Sequence, residues 1–257
     1  MDSCAIEKKI RVVSDIHLEH YSCSFPLFEN IIQGGLNDIL CLLGDIGDPF
    51  SDLYKNFIEW CSHNFYKIFI IAGNHEYYNS SIEKSNLKIK EISSLFFNTH
   101  FLNNSSFVID NKMFIGTTLW SFIPDKYKET IENSINDYKY IKDFTPDICN
   151  KLHNESVNYI KSIIEKYKGH YKIILLSHHS PLLSNTSKSH LEVLDTNYAF
   201  SSDLSLLMKD IDFWVYGHTH FNNTNNYFYF GNTTLISNQV GYHNNYVNYY
   251  NKNFYFN

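Results

Sequence analysis

The sequence predicts an α/β fold on three observations. Short apolar runs rich in branched residues recur along the 257-residue chain, and each ends at small or polar residues, as a buried strand does at its carboxyl end. Segments between the first three runs, such as residues 51–64, are long enough for a crossover helix. Strands that recur about every 30 residues with helices between them indicate βαβ units.

The predicted strands follow from these runs. Five buried strands are predicted at Ile10–Ser14, Asp38–Leu43, Lys67–Ala72, Tyr171–Leu176 and Asp212–Tyr216. Two further apolar runs within residues 106–120 meet at Asp110 and Asn111, a pair that suits the two-residue turn of a hairpin. The final part of the chain, dense in Tyr, Phe and Asn, predicts short strands joined by turns.

A long helix is predicted over residues 145–168. Thr145 is placed to cap its N-terminus, Pro146 fits the first helical position, and Gly169 follows its end. A shorter helix is predicted over residues 202–209.

The remaining segments contain no repeat, Pro-rich linker or break in composition, so residues 1–257 are expected to form a single domain. Residues 124–144 are polar and irregular. They either pass over the surface near a functional site or form a plain solvated loop.

Composition excludes several classes of protein. The chain is 44% hydrophobic and 19% charged, as globular proteins are, and its net charge of -6 comes without a Lys/Arg block, so no extended nucleic acid is expected as a partner. The N-terminus has no apolar signal segment and no stretch approaches the roughly 18 apolar residues of a membrane span, so a soluble, cytoplasmic protein is expected. The cysteines form no CxxC pair, which disfavours a structural zinc site or a disulfide framework.

Polar groups follow all five buried strands. The blocks are Ser14-Asp15-Ile16-His17, Gly44-Asp45, Gly73-Asn74-His75-Glu76, His178-His179-Ser180-Pro181 and Gly217-His218-Thr219-His220. Asp15 and His17, two positions apart, point the same way if the chain stays extended. A lone histidine at a strand end is more often a structural residue, but chance does not readily place such groups on five strands. In parallel sheets the carboxyl edge is where sites form.

The five blocks, in this order, resemble those of the calcineurin-like metallophosphoesterase superfamily. They run from Asp15 to His220 and so cover most of the chain. The stretches 116–120 and 197–204 are similar to those of a subgroup of small stand-alone metallophosphoesterases. The resemblance implies a four-layer αββα sandwich of two mixed β-sheets flanked by helices.

The resemblance also implies a dinuclear site. One metal ion would be held by Asp15, His17, Asp45 and His220. The second would be held by Asp45, Asn74, His218 and one histidine of the fourth block. Spacing leaves His178 and His179 both open; we favour His178 as the ligand and expect His179 behind the ligands or facing substrate.

These ligands suit two divalent ions among Mn, Fe and Zn, and the sequence does not choose among them. Two such ions polarise a phosphoryl oxygen and activate a bridging hydroxide, so no Ser or Cys nucleophile is required. His75 resembles the family histidine that stabilises the transition state or protonates the leaving group. Its alternative is a supporting hydrogen bond next to the ligands.

Further residues flank the blocks. Glu76 is placed either to orient His17 or His75 or to face solvent. Six aromatic residues either line a substrate pocket or pack elsewhere: Tyr77, Tyr78, Trp120, Phe122, Tyr198 and Phe200. The other histidines, His20 among them, have no partner spacing and are interpreted as ordinary residues.

The expected function is therefore metal-dependent hydrolysis of a phosphodiester or phosphomonoester, with a small phosphorylated molecule or nucleotide as substrate. The alternative is a catalytically silent scaffold for protein interactions on the same fold. Every expected ligand position is filled, which disfavours the scaffold. A nuclease acting on DNA ends would need a basic surface or an added nucleic-acid domain, and neither is visible.

Overall fold

The computed structural model describes residues 8–21, 27–243 and 245–257. In chain order, the strands are β1 (Ile10–Val13), β2 (Gly35–Leu43), β3 (Phe65–Ile71), β4 (Thr99–Phe101), β5 (Ser105–Ile109), β6 (Lys112–Thr117), β7 (Lys172–Ser177), β8 (Phe213–Val215), β9 (Tyr227–Phe230), β10 (Thr233–Ile236), β11 (Gly241–Tyr242), β12 (Asn245–Tyr246) and β13 (Tyr255–Phe256). The α-helices are α1 (Phe28–Ile31), α2 (Asp52–Asn64), α3 (Ile82–Ser94), α4 (Lys128–Ser134), α5 (Asp137–Tyr140), α6 (Pro146–Tyr167) and α7 (Ser189–Glu192). Short 3₁₀ helices span Leu18–His20, His75–Tyr77, Asp125–Tyr127, Asp195–Ala199 and Ser205–Asp210.

Two mixed sheets organise these strands. The first has the order β13-β1-β2-β3-β4, in which β1 to β4 run parallel and β13 is antiparallel. The second has the order β5-β6-β7-β8-β10-β9, with antiparallel strands at both edges. Val13 pairs with Leu42, and Leu42 pairs with Ile70, so the first three strands end at the same level. Their following loops therefore meet at one edge.

The alternating side chains of β2 show how the layers are built. Ile39, Cys41 and Leu43 point to one face and share a buried core with Phe114 and Leu176 of the second sheet. This core lies between the two sheets, because strand alternation sends every second residue to the same side.

The outer faces of both sheets are covered by helices. Leu40 and Leu42 of β2 pack with Phe57 of α2, while Leu175 of β7 packs with Ile160 of α6. The resulting order of helix, sheet, sheet and helix confirms the expected four-layer αββα sandwich.

Local predictions are largely confirmed. The Thr145 side chain accepts a hydrogen bond from Ile148 N and caps α6, and Asp110 adopts a positive φ of 53° in the β5–β6 hairpin turn. The predicted helix over residues 202–209 is the 3₁₀ helix Ser205–Asp210. Residues 124–144 are not a plain loop, because they contain α4 and α5.

Other expectations concern the chain as a whole. Cys41 is a buried free thiol, as are Cys61 and Cys149, whereas Cys4 and Cys23 lie outside the described residues. Within the ranges that the structure describes, no helix has the length and apolar character that crossing a membrane requires. The single domain over residues 1–257 stays a prediction.

Candidate metal centre

The five polar blocks lie together at the carboxyl edge of the sheets, in the loops that follow β1, β2, β3, β7 and β8. Backbone hydrogen bonds join these loops. Asp15 N donates to Gly44 O at 3.0 Å, and Gly217 N donates to His178 O at 2.9 Å. Because these bonds connect loops from different strands, they hold side chains from distant blocks in fixed relative positions.

Five of the predicted ligands have a left-handed backbone. Their φ angles are 55°, 52°, 50°, 72° and 48° for Asp15, His17, Asp45, His218 and His220 respectively. The chain therefore does not stay extended from Asp15 to His17. The left-handed turns at these two residues direct both side chains toward His220. Such conformations cost about 1–3 kcal/mol each and cluster at functional sites, where the surrounding structure enforces them.

Asp15, His17 and His220 form the first cluster. Nε2 of His17 lies 3.0 Å from Nε2 of His220, which in turn lies 3.5 Å from Oδ1 of Asp15. Oδ2 of Asp45 lies 3.8 Å from Nε2 of His17. The backbone N of His218 donates to both carboxylate oxygens of Asp15, at 3.0 and 3.1 Å, and so fixes their orientation.

Asp45, Asn74, His178 and His218 form the second cluster. Nε2 of His178 lies 3.1 Å from Oδ1 of Asn74, 3.1 Å from Nδ1 of His218 and 3.4 Å from Oδ1 of Asp45. Asp45 therefore presents Oδ2 to the first cluster and Oδ1 to the second. The two clusters share this one carboxylate.

The chemistry of the second cluster fits a bound cation. Nδ1 of His178 donates to Leu43 O at 2.7 Å, so Nε2 of the neutral ring carries a lone pair that faces two oxygen acceptors. Burial lowers the pKa of His178, but the Asp45 carboxylate raises it to about 9, so a cation that binds here must displace a proton from Nε2. Carboxylate, amide and imidazole groups suit divalent Mn, Fe or Zn.

Two other imidazoles are suited to bind as neutral ligands. Burial lowers the pKa of His218 and of His220, so both rings are unprotonated near neutral pH. Metal binding requires this state, because a protonated ring nitrogen has no lone pair to donate.

The comparison with known families identifies the family of the chain. The family model described as calcineurin-like phosphoesterase matches residues 8–222, which include all five blocks. The chain belongs to the calcineurin-like phosphoesterase family. The family that the blocks indicated is thereby confirmed. Its members bind divalent metals, and the groups Asp15/His17/His220 and Asp45/His178/His218 of this chain are able to hold such ions.

Individual relatives extend the comparison. An uncharacterized protein of Acanthamoeba polyphaga mimivirus is 37% identical over 261 residues, covering 91% of each chain. A "probable cyclic nucleotide phosphodiesterase" of Coxiella burnetii is 24% identical over 236 residues, covering 85% of this chain and 77% of the relative. The crystal structure of phosphopantetheinyl hydrolase from Mycobacterium tuberculosis matches with a TM-score of 0.68 at 15% identity, covering 92% of this chain and 90% of that one, and shows the common fold.

The structure separates the two histidines of the fourth block in this calcineurin-like phosphoesterase. His178 projects into the second cluster, whereas the ring of His179 lies behind it, 4.2 Å between centroids from His218 and 5.0 Å from Trp120. His179 is only 1% exposed and is not among the residues that line the cavity. Its position favours His178 as the ligand.

Glu76 has a role that the sequence analysis missed. Its side chain neither orients His17 or His75 nor faces solvent, because it is 1% exposed and turned toward the backbone. Oε2 accepts from Asp45 N at 2.9 Å and Gly73 N at 2.6 Å, and Oε1 accepts from Ile46 N and Gly47 N. Glu76 therefore holds the loop that presents Asp45.

The carboxylate that contacts both histidines is Glu19, which the sequence analysis did not select. Its Oε1 lies 3.1 Å from Nδ1 of His17 and 2.9 Å from Nδ1 of His75. Burial raises the pKa of Glu19, but the hydrogen bonds from both rings lower it to about 2. The neighbouring His20, interpreted as an ordinary residue, lies close enough to join the same group. The sequence signal was the spacing His17-x-Glu19.

A second carboxylate, Asp137 of α5, orients Asn74. Nδ2 of Asn74 donates to Oδ1 of Asp137 at 2.8 Å, which leaves Oδ1 of Asn74 directed at His178. The hydroxyl of Tyr78 donates to the same Asp137 oxygen at 2.8 Å. Residues 124–144 thus reach the site through Asp137, which is one of the two outcomes that the sequence left open.

A cavity of about 1120 Å³ opens over the two clusters. Of the six aromatic residues considered from the sequence, Tyr78 and Phe200 line it. Trp120 is instead buried against Tyr77 and Phe144, and Tyr198 stacks on Tyr127. Two aromatic residues that the sequence analysis did not select, Tyr140 and Tyr242, also line the cavity.

Glu19→Gln is expected to weaken the site without unfolding the protein. A neutral amide accepts hydrogen bonds from the two imidazoles less strongly than a carboxylate does. Loss of a carboxylate that supports a metal-binding histidine typically lowers metal affinity or activity about 10- to 100-fold. Metal content and kcat should be compared with those of Glu59→Gln, an equivalent change at an exposed position on α2. If both variants behave alike, Glu19 does not support the site.

Proposed function

We propose that this phosphoesterase-family chain is a hydrolase of phosphodiester or phosphomonoester bonds that works with two divalent metal ions. The observation that carries the proposal is the pair of ligand clusters that share Asp45, one carboxylate oxygen facing each cluster. Asp15, His17, Asp45 and His220 would hold one ion. Asp45, Asn74, His178 and His218 would hold the other.

When bound, the two ions supply polarisation of the phosphoryl group and a water of lowered pKa. The chain itself supplies positioning and a proton. Nδ1 of His75 is engaged by Glu19, which leaves Nε2 as the ring nitrogen for a substrate oxygen. Burial lowers the pKa of His75, but Asp45 and Glu19 raise it to about 9, so the ring carries a proton to give to the leaving group.

The lining of the cavity supports a small organic phosphate, such as a nucleotide, as substrate. Tyr140 is 48% exposed and lies 5.3 Å between ring centroids from Tyr78, which itself stacks on His75. An exposed aromatic ring beside the reacting groups is suited to stack on a planar base. The name of the Coxiella burnetii relative is in accord with a nucleotide substrate.

A hydrolysis screen tests the proposal. The purified protein should be freed of metal with a chelator, reconstituted separately with Mn²⁺, Zn²⁺ or Fe²⁺, and assayed against phosphomonoesters, phosphodiesters and cyclic nucleotides. Turnover that appears on reconstitution and is lost in Asp45→Asn is expected. If no ester is hydrolysed with any ion while the protein still binds metal, the silent scaffold becomes the better description.

A further inference from the structure

The cavity over the clusters is poor in fixed positive charge. No lysine or arginine lines it anywhere in residues 8–21, 27–243 and 245–257. The remaining residues, 1–7, 22–26 and 244, contain neither residue type, so they have none to contribute. The cavity does contain carboxylates beyond the expected ligands, from Glu19, Asp48 and Asp137.

This charge pattern distinguishes the two classes of phosphate ester. A phosphomonoester carries nearly two negative charges above its second pKa of about 6, whereas a diester carries one. Sites for phosphate dianions commonly use Arg or Lys to bind the additional oxygens. Here the one imidazole assigned a proton, His75, serves the leaving oxygen, so the additional charge of a monoester would meet carboxylates and tyrosines.

The lining of the cavity also offers apolar contacts to a second ester group. Tyr140, Tyr242 and Phe200 present aromatic rings to it, and Ile135 and Leu191 present aliphatic surface. An organic substituent on phosphorus gains apolar contact with these side chains, where a bare oxygen of a monoester gains none.

Building on the function proposed above, we propose that the cavity selects monoanionic phosphodiesters over dianionic phosphomonoesters. In the reaction the oxygen of water bonds to phosphorus and the bond from phosphorus to the leaving oxygen breaks. Of the two protons of the water, the equivalent of one ends on the leaving oxygen, which departs as an alcohol. The other is released when the new monoester ionises to its dianion. The product is the dianion that the cavity disfavours, so the reaction stops after one ester bond.

Two esters with the same leaving group test the selectivity. Bis(p-nitrophenyl) phosphate should be hydrolysed with a kcat/KM about 10- to 100-fold above that of p-nitrophenyl phosphate, the effect of one uncompensated polar or charged group. One equivalent of p-nitrophenol per diester should be released. Equal or faster monoester hydrolysis, or prompt release of two equivalents, overturns the proposal and leaves phosphoesterase activity itself established.

Adding a cation to the cavity gives the sharper test. Asn136→Lys places an ammonium group at a residue that lines the cavity and whose side chain makes no capping hydrogen bond. It should raise the ratio of monoester to diester kcat/KM by about tenfold, as a new charge-assisted contact allows. Asn133→Lys is the matched control, because it makes the same change three positions away on α4 at an exposed residue outside the cavity.

A binding measurement separates failure of this inference from failure of the proposed function. Calorimetric titration of metal-loaded His75→Ala protein with each ester should show tighter binding of the diester, and Asn136→Lys in this background should strengthen monoester binding alone. If no ester is hydrolysed but this binding pattern holds, the selectivity stands and the catalytic function does not. If both lysine variants change the ratio equally, the cavity does not determine it and the inference is wrong.

Discussion

Asp45→Asn is expected to abolish hydrolysis and to release metal from both clusters. Each oxygen of the Asp45 carboxylate faces a different cluster, and the amide that replaces it has one oxygen and carries less charge. One cluster would then meet an amide nitrogen, which donates hydrogen bonds and has no lone pair for a metal. The loss of activity should exceed the loss of about 10- to 100-fold that is typical when a residue hydrogen-bonded to a metal ligand is removed.

His75→Ala is the informative comparison for Asp45→Asn. Its side chain lines the cavity and contacts Glu19, and it belongs to the group His17/Glu19/His20/His75, not to either of the two clusters that share Asp45. Metal content should therefore be retained, while kcat falls by about 10²- to 10⁴-fold, the contribution of a general acid or base. Elemental analysis and kinetics should be performed on the same preparations.

The opposite pattern is easily recognised. Should His75→Ala lose its metal while Asp45→Asn retains it, the roles assigned to the two residues would be wrong. Thermal unfolding of the metal-free proteins should accompany both measurements, so that loss of metal is not confused with loss of the fold.

His178→Ala is expected to remove metal from the second cluster, whereas His179→Ala should retain it. Nε2 of His178 lies among Asn74, Asp45 and His218, while the ring of His179 packs behind His218. Loss of the His179 ring removes its packing against the ring of His218, an expected ligand. Turnover should therefore fall more than metal content does.

Metal content after purification in chelator-treated buffer, measured beside kinetics with a generic aryl phosphate ester, separates the two variants. Both histidines are buried, so the melting temperature of each variant is a necessary control. Loss of the second metal from His179→Ala alone would exchange the two roles. Normal metal content and activity in both variants would mean that the fourth block lies outside the metal centre.

The sequence determined the elements that depend on local patterns. Apolar runs with polar ends gave the buried strands, and Thr145, Pro146 and Gly169 gave the limits of α6. The five blocks indicated the family because their order and residue types can be read directly from the sequence, without knowledge of the fold. Residues such as Asp45 and His178 could be selected from the sequence, since each lies within two residues of the end of its strand.

Only the tertiary structure decided how these residues contact one another. Glu19 reaches His75 across 56 residues and Asp137 reaches Asn74 across 63, and no local periodicity encodes contacts of that separation. The left-handed backbone at Asp15 and His17 is likewise imposed by hydrogen bonds to the loop after β2. Local propensity disfavours that conformation, so the packed sheets must hold it in place, and a linear sequence pattern cannot reveal it.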